Sequence, residues 1–335
     1  MKTLYIHAGM PKCGSSALQV FFANNIEFLN NESVDYFNLE DLEGARKGNI
    51  TSGNGALLSR SLLGEGHEAY LNDDGSIYNR FFDAIKNSEF EKGLVSSEFF
   101  AVVPFKRLNS IKEELAEIGV ETKFIYYVRR QDQFLMSSYM QRVKRHGFTG
   151  MPEDFIANTY EHIHFLKYFG YANELEGYLG KGNVLPFNYD DTKSYQNGLI
   201  GHFMKQVLDY DADWIKVDPV VNVSPSPVEL KMMMVANQYG ARAKLSDFLV
   251  EDSVKAGRGN KFKQHAILNP CLQDEILTYF ETQNRQFKDK FEISFTAPDV
   301  KEFINLEALE IDPAIMTSVL MGLIVRLDRR IAGVE

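Results

Sequence analysis

Apolar residues follow two rhythms along this chain: short unbroken runs, and stripes in which they recur three or four positions apart. The runs cover residues 3–7 (Thr-Leu-Tyr-Ile-His), 93–97, 123–128 (Lys-Phe-Ile-Tyr-Tyr-Val) and 183–187. Runs of this length, rich in branched and aromatic side chains and bounded by turn residues, predict strands buried on both faces. The stripes begin with Leu18, Phe21, Phe22, Ile26 and Leu29, which predict a helix directly after the first turn. Further helices are predicted over about 78–88, 104–118, 132–144 and 152–179, and the strongest over 272–287. Residues 313–325 carry no charge and are expected to form a buried helix, since a membrane span needs roughly 20 apolar residues. Residues 30–74 are polar and glycine-rich, and an irregular insertion or active-site cover is expected there. Strands alternating with helices predict an α/β fold of three layers, with a mainly parallel central sheet flanked by helices and a helical C-terminal third. No linker or repeat interrupts the pattern, so a single domain over 1–335 is expected.

Composition adds limits rather than detail. The chain has 335 residues, 44% hydrophobic and 24% charged, which suits a soluble globular protein with a sizeable core. Only two cysteines, Cys13 and Cys271, are present, so neither a disulfide framework nor a cysteine-rich metal site is expected. The first residues show no long apolar run of a secretory leader, and a cytoplasmic protein without a membrane span is expected. A net charge of −10 argues against nucleic acid as partner. The positive charge is bunched, however. Lys123, Arg129, Arg130, Arg142, Lys144 and Arg145 face only Asp132 between positions 123 and 146, and residues 255–263 hold Lys255, Arg258, Lys261 and Lys263 with no acid. Such clusters in an acidic chain point to a small polyanionic ligand.

The first turn supplies a place for it. Gly9-Met10-Pro11-Lys12-Cys13-Gly14-Ser15-Ser16 joins the first predicted strand to the first predicted helix. Backbone amides at a helix N-terminus converge on an anion. Gly9 and Gly14 have the spacing of the triphosphate loop G-x-x-x-x-G-K-[ST], but Ser15 stands where that loop has its lysine, and Lys12 lies earlier. A Mg²⁺-dependent kinase or nucleotide hydrolase is therefore the second choice. The loop suits one phosphate, held by the amides and hydroxyls of Gly14, Ser15 and Ser16, with Lys12 reaching over a bridging oxygen. A second anchor starts where the 123–128 strand ends. Arg129 stands at the strand edge where open α/β sheets bind ligands, and its planar fork suits a phosphate. Ser137 lies eight residues on, about two helical turns away.

The stretch from Tyr5 through Gly9, Pro11, Lys12, Gly14, Ser15 and Ser16 to Gln19 resembles the 5′-phosphosulfate loop of sulfotransferases that use 3′-phosphoadenosine 5′-phosphosulfate (PAPS). It is most similar to the bacterial branch, whose loops read His-x-Gly-x-Pro-Lys-x-Gly-[ST]-[ST]. Arg129, Ser137 and Tyr139 are spaced like the family's 3′-phosphate motif. Residues 256–262, with Arg258, resemble the late glycine-rich basic loop that closes over the same phosphate. The resemblance implies a P-loop-like fold and PAPS as donor, with no metal ion. It assigns donor binding to Lys12, Cys13, Gly14, Ser15, Ser16, Arg129, Ser137 and Arg258, and leaving-group stabilisation to Lys12. Cys13 stands where the family has Thr or Ser. A thiol at a helix N-terminus is expected to have a lowered pKa, the alternative being a small buried filler.

An acceptor hydroxyl needs a general base. Ser96-Ser97-Glu98 resembles the Ser-Glu step that carries a catalytic carboxylate in some carbohydrate sulfotransferases, which makes Glu98 the first candidate. His7, at the end of the first strand, and His146, after the second anchor, are the alternatives. The bacterial resemblance implies a saccharide acceptor offering a hydroxyl or an amine. A non-catalytic protein that binds adenosine 3′,5′-bisphosphate remains open on the residues alone.

Overall fold

The computed structural model describes residues 2–40, 42–47, 52–157, 159–210, 224–241, 245–249, 265–299 and 301–333. Five strands, β1 (Lys2–Ala8), β2 (Val34–Tyr36), β3 (Lys92–Ser97), β4 (Val120–Val128) and β5 (Val184–Asn188), make one sheet in the order β2-β3-β1-β4-β5. All neighbouring pairs are parallel, with Ala8 beside Ser97 and Val128 beside Asn188. After β1 the chain crosses to one side of the sheet, and after β4 it continues on the other. The order therefore reverses between β1 and β4, and a crevice at the carboxyl ends of the strands is expected at such a point.

The four expected strands are present: three are longer by a residue or more, and the fourth is shifted by one residue to Val184–Asn188. Their unbroken apolar runs reflect cover on both faces: Phe124, Ile125, Tyr126 and Tyr127 of β4 are all buried. Leu18 and Phe22 from the helix Ser15–Asn24 and Leu108, Ile111 and Leu115 from the helix Phe105–Glu117 supply part of that cover. Each such side chain contributes about 1.5–3 kcal/mol when fully buried.

Residues 30–74 differ from expectation. They hold the edge strand β2 and the short helices Glu43–Arg46 and Ala56–Ser61 in place of an irregular excursion. Asn54 explains how so polar a segment folds inward. Its buried amide nitrogen donates to the Phe37 and Leu94 carbonyls, and its oxygen accepts from the Ser96 amide. One polar side chain thereby fastens residues 52–61 to β3 and to the chain just after β2.

The chain forms two compact units. The first comprises Met1–Arg129, Lys167–Val220 and Thr282–Phe295; the second comprises Arg130–Leu166, Val221–Glu281 and Thr296–Glu335. No linker marks this division, because each unit is assembled from discontinuous segments. The sheet just described belongs to the first unit. The second contains the helix Gln131–His146 and a two-stranded parallel pair, β6 (His265–Ala266) and β7 (Glu302–Phe303). It has its own core of Tyr139, Val143, Leu230, Met233, Met234, Leu249, Ile267, Leu306 and Val319. The helix Pro313–Ile331, expected to be buried, is largely exposed: Val319 enters that core, while Leu320, Met321, Ile324 and Leu327 face solvent. Its apolar residues surround the helix, and only one stripe finds a partner among the described residues. No described helix is long and apolar enough to cross a membrane.

Candidate active site

One carboxyl-terminal edge of the sheet gathers most of the candidate chemistry. The residue that follows each of four adjacent strands is Glu98 after β3, Gly9 after β1, Arg129 after β4 and Tyr189 after β5. Parallel strands end in the same direction, about 4.8 Å apart, so an acid, a phosphate-type loop, a guanidinium and a phenol ring stand side by side.

The loop after β1 turns tightly into the helix Ser15–Asn24. Lys12 and Gly14 both adopt left-handed backbone, with φ of 67° and 79°. Gly14 is the N-cap, and the amides of Gly14, Ser15 and Ser16 donate to no atom among the described residues. Glycine is required at position 14 on two counts. The left-handed φ is costly for other residues, and an added Cβ would lie 2.5 Å from Leu199 Cδ2 and 3.2 Å from Tyr189 Cε2. Gly9 allows a second close approach, since a Cβ there would meet Ser15 Cβ at 2.5 Å and Glu98 Cγ at 3.2 Å.

Glu98 is tied to the loop by a short bond: Ser15 Oγ donates to its Oε1 at 2.6 Å. Ser97 caps the 3₁₀ turn that Glu98 begins, its Oγ accepting from the Phe99 amide. Glu98 is half-buried. Lys12 is half-buried as well; burial lowers the pKa of its ammonium, and the Glu98 charge opposes that fall. A partly desolvated cation of this kind gains when an anion arrives. On the far side of the loop, the Arg129 guanidinium carbon lies 5.5 Å from the centre of the Tyr189 ring.

Two expectations change here. Cys13 is 4% exposed, and burial pushes its thiol up to about 12, with the Arg129 charge only partly opposing and Asp190 and Glu98 adding to the rise. The expected lowering at a helix N-terminus is overruled by desolvation, and Cys13 serves as the buried filler. His7 is 1% exposed, hydrogen-bonded through Nδ1 to Ser96 Oγ at 2.8 Å, and held by burial at about 3. Its ring is covered by Phe203 of the helix Gly198–Gln206 and by Tyr127 of β4.

The remaining candidates are placed as follows. Ser16 follows Ser15 in the first turn of its helix and is half-buried. Ser137 lies two turns into the helix Gln131–His146 of the second unit, half-buried, and His146 ends that helix, exposed. Arg258 and the basic loop 256–262 lie outside the described residues. Tyr189 was not a candidate from the sequence. Its signal was positional: it stands one residue past the strand 183–187 as extended to Asn188, where Arg129 stands relative to β4.

No protein-family model matches the chain, and no curated protein matches it by sequence. Among solved structures, a sulfotransferase from Alicyclobacillus acidocaldarius is similar, with a TM-score of 0.50 at 12% identity over 88% of this chain and 98% of that chain. Retinol dehydratase in complex with androsterone and inactive cofactor PAP aligns over 88% of this chain and 83% of its own at 11% identity. Its TM-score of 0.29 is too low to carry weight. At these identities the likeness establishes the fold: the α/β architecture with a parallel sheet is one that a sulfotransferase also has.

Proposed function

We propose that this chain transfers a sulfuryl group from PAPS to a hydroxyl or amine of an acceptor, with a saccharide as the acceptor class and the cytoplasm as the setting. The observation that carries the reading is the row of strand ends, in which Lys12, Glu98 and Arg129 surround a phosphate loop whose leading amides are unused by the described protein. The residues fit the donor. The loop amides and Lys12 suit its 5′-phosphate end, and Arg129 beside the Tyr189 ring offers a cation and an aromatic face to the remainder.

The donor supplies a sulfur centre whose displacement leaves negative charge on the bridging phosphate oxygen. Lys12 neutralises that charge, and the amides of Gly14, Ser15 and Ser16 hold the phosphate without reorganising. Glu98 takes the proton of the acceptor, and the Ser15 hydroxyl fixes the orientation of its carboxylate. Lysine placed before the second glycine, with Ser15 in the triphosphate position, favours this chemistry over Mg²⁺-dependent nucleotide hydrolysis.

The test is release of adenosine 3′,5′-bisphosphate from PAPS over a panel of mono- and oligosaccharide acceptors. Lys12→Ala is expected to slow release by about 10²–10³-fold. Glu98→Gln is expected to slow it by about 10²–10⁴-fold while bisphosphate binding persists. Full turnover in Glu98→Gln would remove that residue from its role. Tight bisphosphate binding with no release for any acceptor would identify a non-catalytic binding protein.

A further inference from the structure

β2 pairs with β3 only as far as Leu94, which stands opposite Tyr36. The last residues of β3, 95–97, have β1 on one side and no strand among the described residues on the other. These are the residues that lead directly into Glu98. Residues 53–59 stand in for the missing strand. Asn54 Oδ1 accepts from the Ser96 amide at 2.8 Å, and the Gly55 amide donates to the Ser96 carbonyl at 3.0 Å. Both outward backbone groups of Ser96 are thus paired as a neighbouring strand would pair them. Asn54 Nδ2 also donates to the Leu94 carbonyl at 3.1 Å. The approach needs glycine at position 53, where φ is 84° and an added Cβ would collide with the Ser96 carbonyl oxygen.

The side chains next to Glu98 continue the same hold. Ser59 Oγ, on the helix Ala56–Ser61, donates to Ser97 Oγ at 2.9 Å. Ser97 Oγ in turn accepts from the Phe99 amide at 3.2 Å, so these bonds bracket Glu98 in the chain. Ser96 Oγ is bonded to His7 Nδ1 at 2.8 Å and accepts from Gln19 Nε2 at 3.2 Å. The same strand end is thereby tied to β1 and to the helix that the phosphate loop begins. Asn54, Ser59, Ser96 and Ser97 are each 0% exposed. Four polar side chains buried together are costly unless bonded, and apolar residues of the same shape would pack there without that demand. What a bonded network supplies instead is one fixed geometry.

We propose that Asn54 and Ser59 are positioning residues for the transfer: they replace the missing strand beside the end of β3 and fix the direction in which Glu98 leaves the sheet. The inference rests on the sulfuryl-transfer reading and adds a part to it. Ser15 holds the Glu98 carboxylate from the donor loop, while Asn54 and Ser59, acting through Ser96 and Ser97, hold the backbone that carries it. Residues 53–59 are then the support of the base, within a segment whose polarity suggested an insertion or cover.

The experiment is a double-mutant cycle between Ser59→Ala and Glu98→Gln in the full chain. It is read by release of adenosine 3′,5′-bisphosphate from PAPS and, on the same proteins, by amide hydrogen exchange at Phe99. Ser59→Ala leaves Asn54 in place and is the milder lesion. It is expected to lower kcat by about 10–10²-fold, as a misplacement of about 1 Å does, with KM for PAPS and bisphosphate affinity unchanged. Exchange at the Phe99 amide is expected to quicken by about tenfold. In the Glu98→Gln background the same substitution should slow release by less than about twofold, because its effect passes through the carboxylate. Equal fold-losses in the two backgrounds, a change confined to KM, or unaltered exchange at Phe99 overturns the inference. No release by wild type with any acceptor overturns the sulfotransferase reading itself, and the exchange measurement then still decides whether Ser59 holds the end of β3.

Discussion

Cys13 lies in the loop after β1, yet its thiol is buried and pushed up to about 12, whereas Cys271 is exposed. Iodoacetamide at about pH 8 is therefore expected to alkylate Cys271 and spare Cys13 in the native protein, because only the thiolate reacts. Mass spectrometry showing two adducts on folded protein would contradict the burial. Gly14→Ala tests the loop geometry. A left-handed backbone costs a non-glycine residue about 1–2 kcal/mol, and the new methyl also meets Leu199 and Tyr189. Urea unfolding should show a loss of about 1–3 kcal/mol, together with weaker bisphosphate binding; an unchanged midpoint would refute the strain. At this scale the positions of Glu98 and Arg129, directly after β3 and β4, and of Lys12 in the turn after β1 were legible because the strands they follow are recognisable. The Cys13 thiol was not, since its pKa depends on how much protein covers it, which no local pattern records. The place of Tyr189 beside Arg129 was missed because it depends on the ends of two strands distant in sequence coming side by side.

Among the elements, β1 and the helix Gly198–Gln206 each carry a buried histidine that makes stability pH-sensitive. The His7 imidazole, ordinarily near 6.5, is held at about 3 by burial, and His202 at about 4 for the same reason. As pH falls below about 6.5 the unfolded chain takes up these protons while the folded chain does not until pH 3–4. The unfolded state then binds more protons, so stability is full above about pH 6.5 and declines as pH drops through that value. The expected loss by pH 4.5 is on the order of a few kcal/mol, read as a falling urea midpoint. His7→Asn, which keeps a polar partner for Ser96 without titrating, should flatten that slope, and parallel slopes in the two proteins would refute the assignment. Asn54 makes a second element-scale prediction. Asn54→Ala strands the buried Ser96 amide and two carbonyls at once, and should cost about 2–4 kcal/mol by the same unfolding assay. A loss below about 0.5 kcal/mol, within the range of ordinary surface changes, would show that residues 52–61 are not fastened to the sheet in this way. The long apolar runs revealed β1, β3, β4 and β5, whereas β2 has only three residues and an acid in its middle. Its pairing is set by β3 and by Asn54, neither of which is local.

For the whole molecule, the alternation of buried strands with amphipathic helices was enough to anticipate a parallel three-layer α/β fold. Parallel strands need crossovers, and crossovers leave a strong helical rhythm. The division into two units was not legible, because the chain enters and leaves each unit several times without a change of composition. The strand order β2-β3-β1-β4-β5 puts the reversal between β1 and β4, and the account of function depends on a nucleotide bisphosphate seated along that edge. Thermal unfolding with adenosine 3′,5′-bisphosphate, and separately with ATP and Mg²⁺, tests this directly in wild type and Arg129→Ala. At about 100 times its dissociation constant the bisphosphate should add roughly 2.7 kcal/mol to wild type, ATP with Mg²⁺ should add much less, and Arg129→Ala should lose most of the response. Stabilisation by ATP with Mg²⁺ alone, or a bisphosphate response undiminished in Arg129→Ala, would contradict the account.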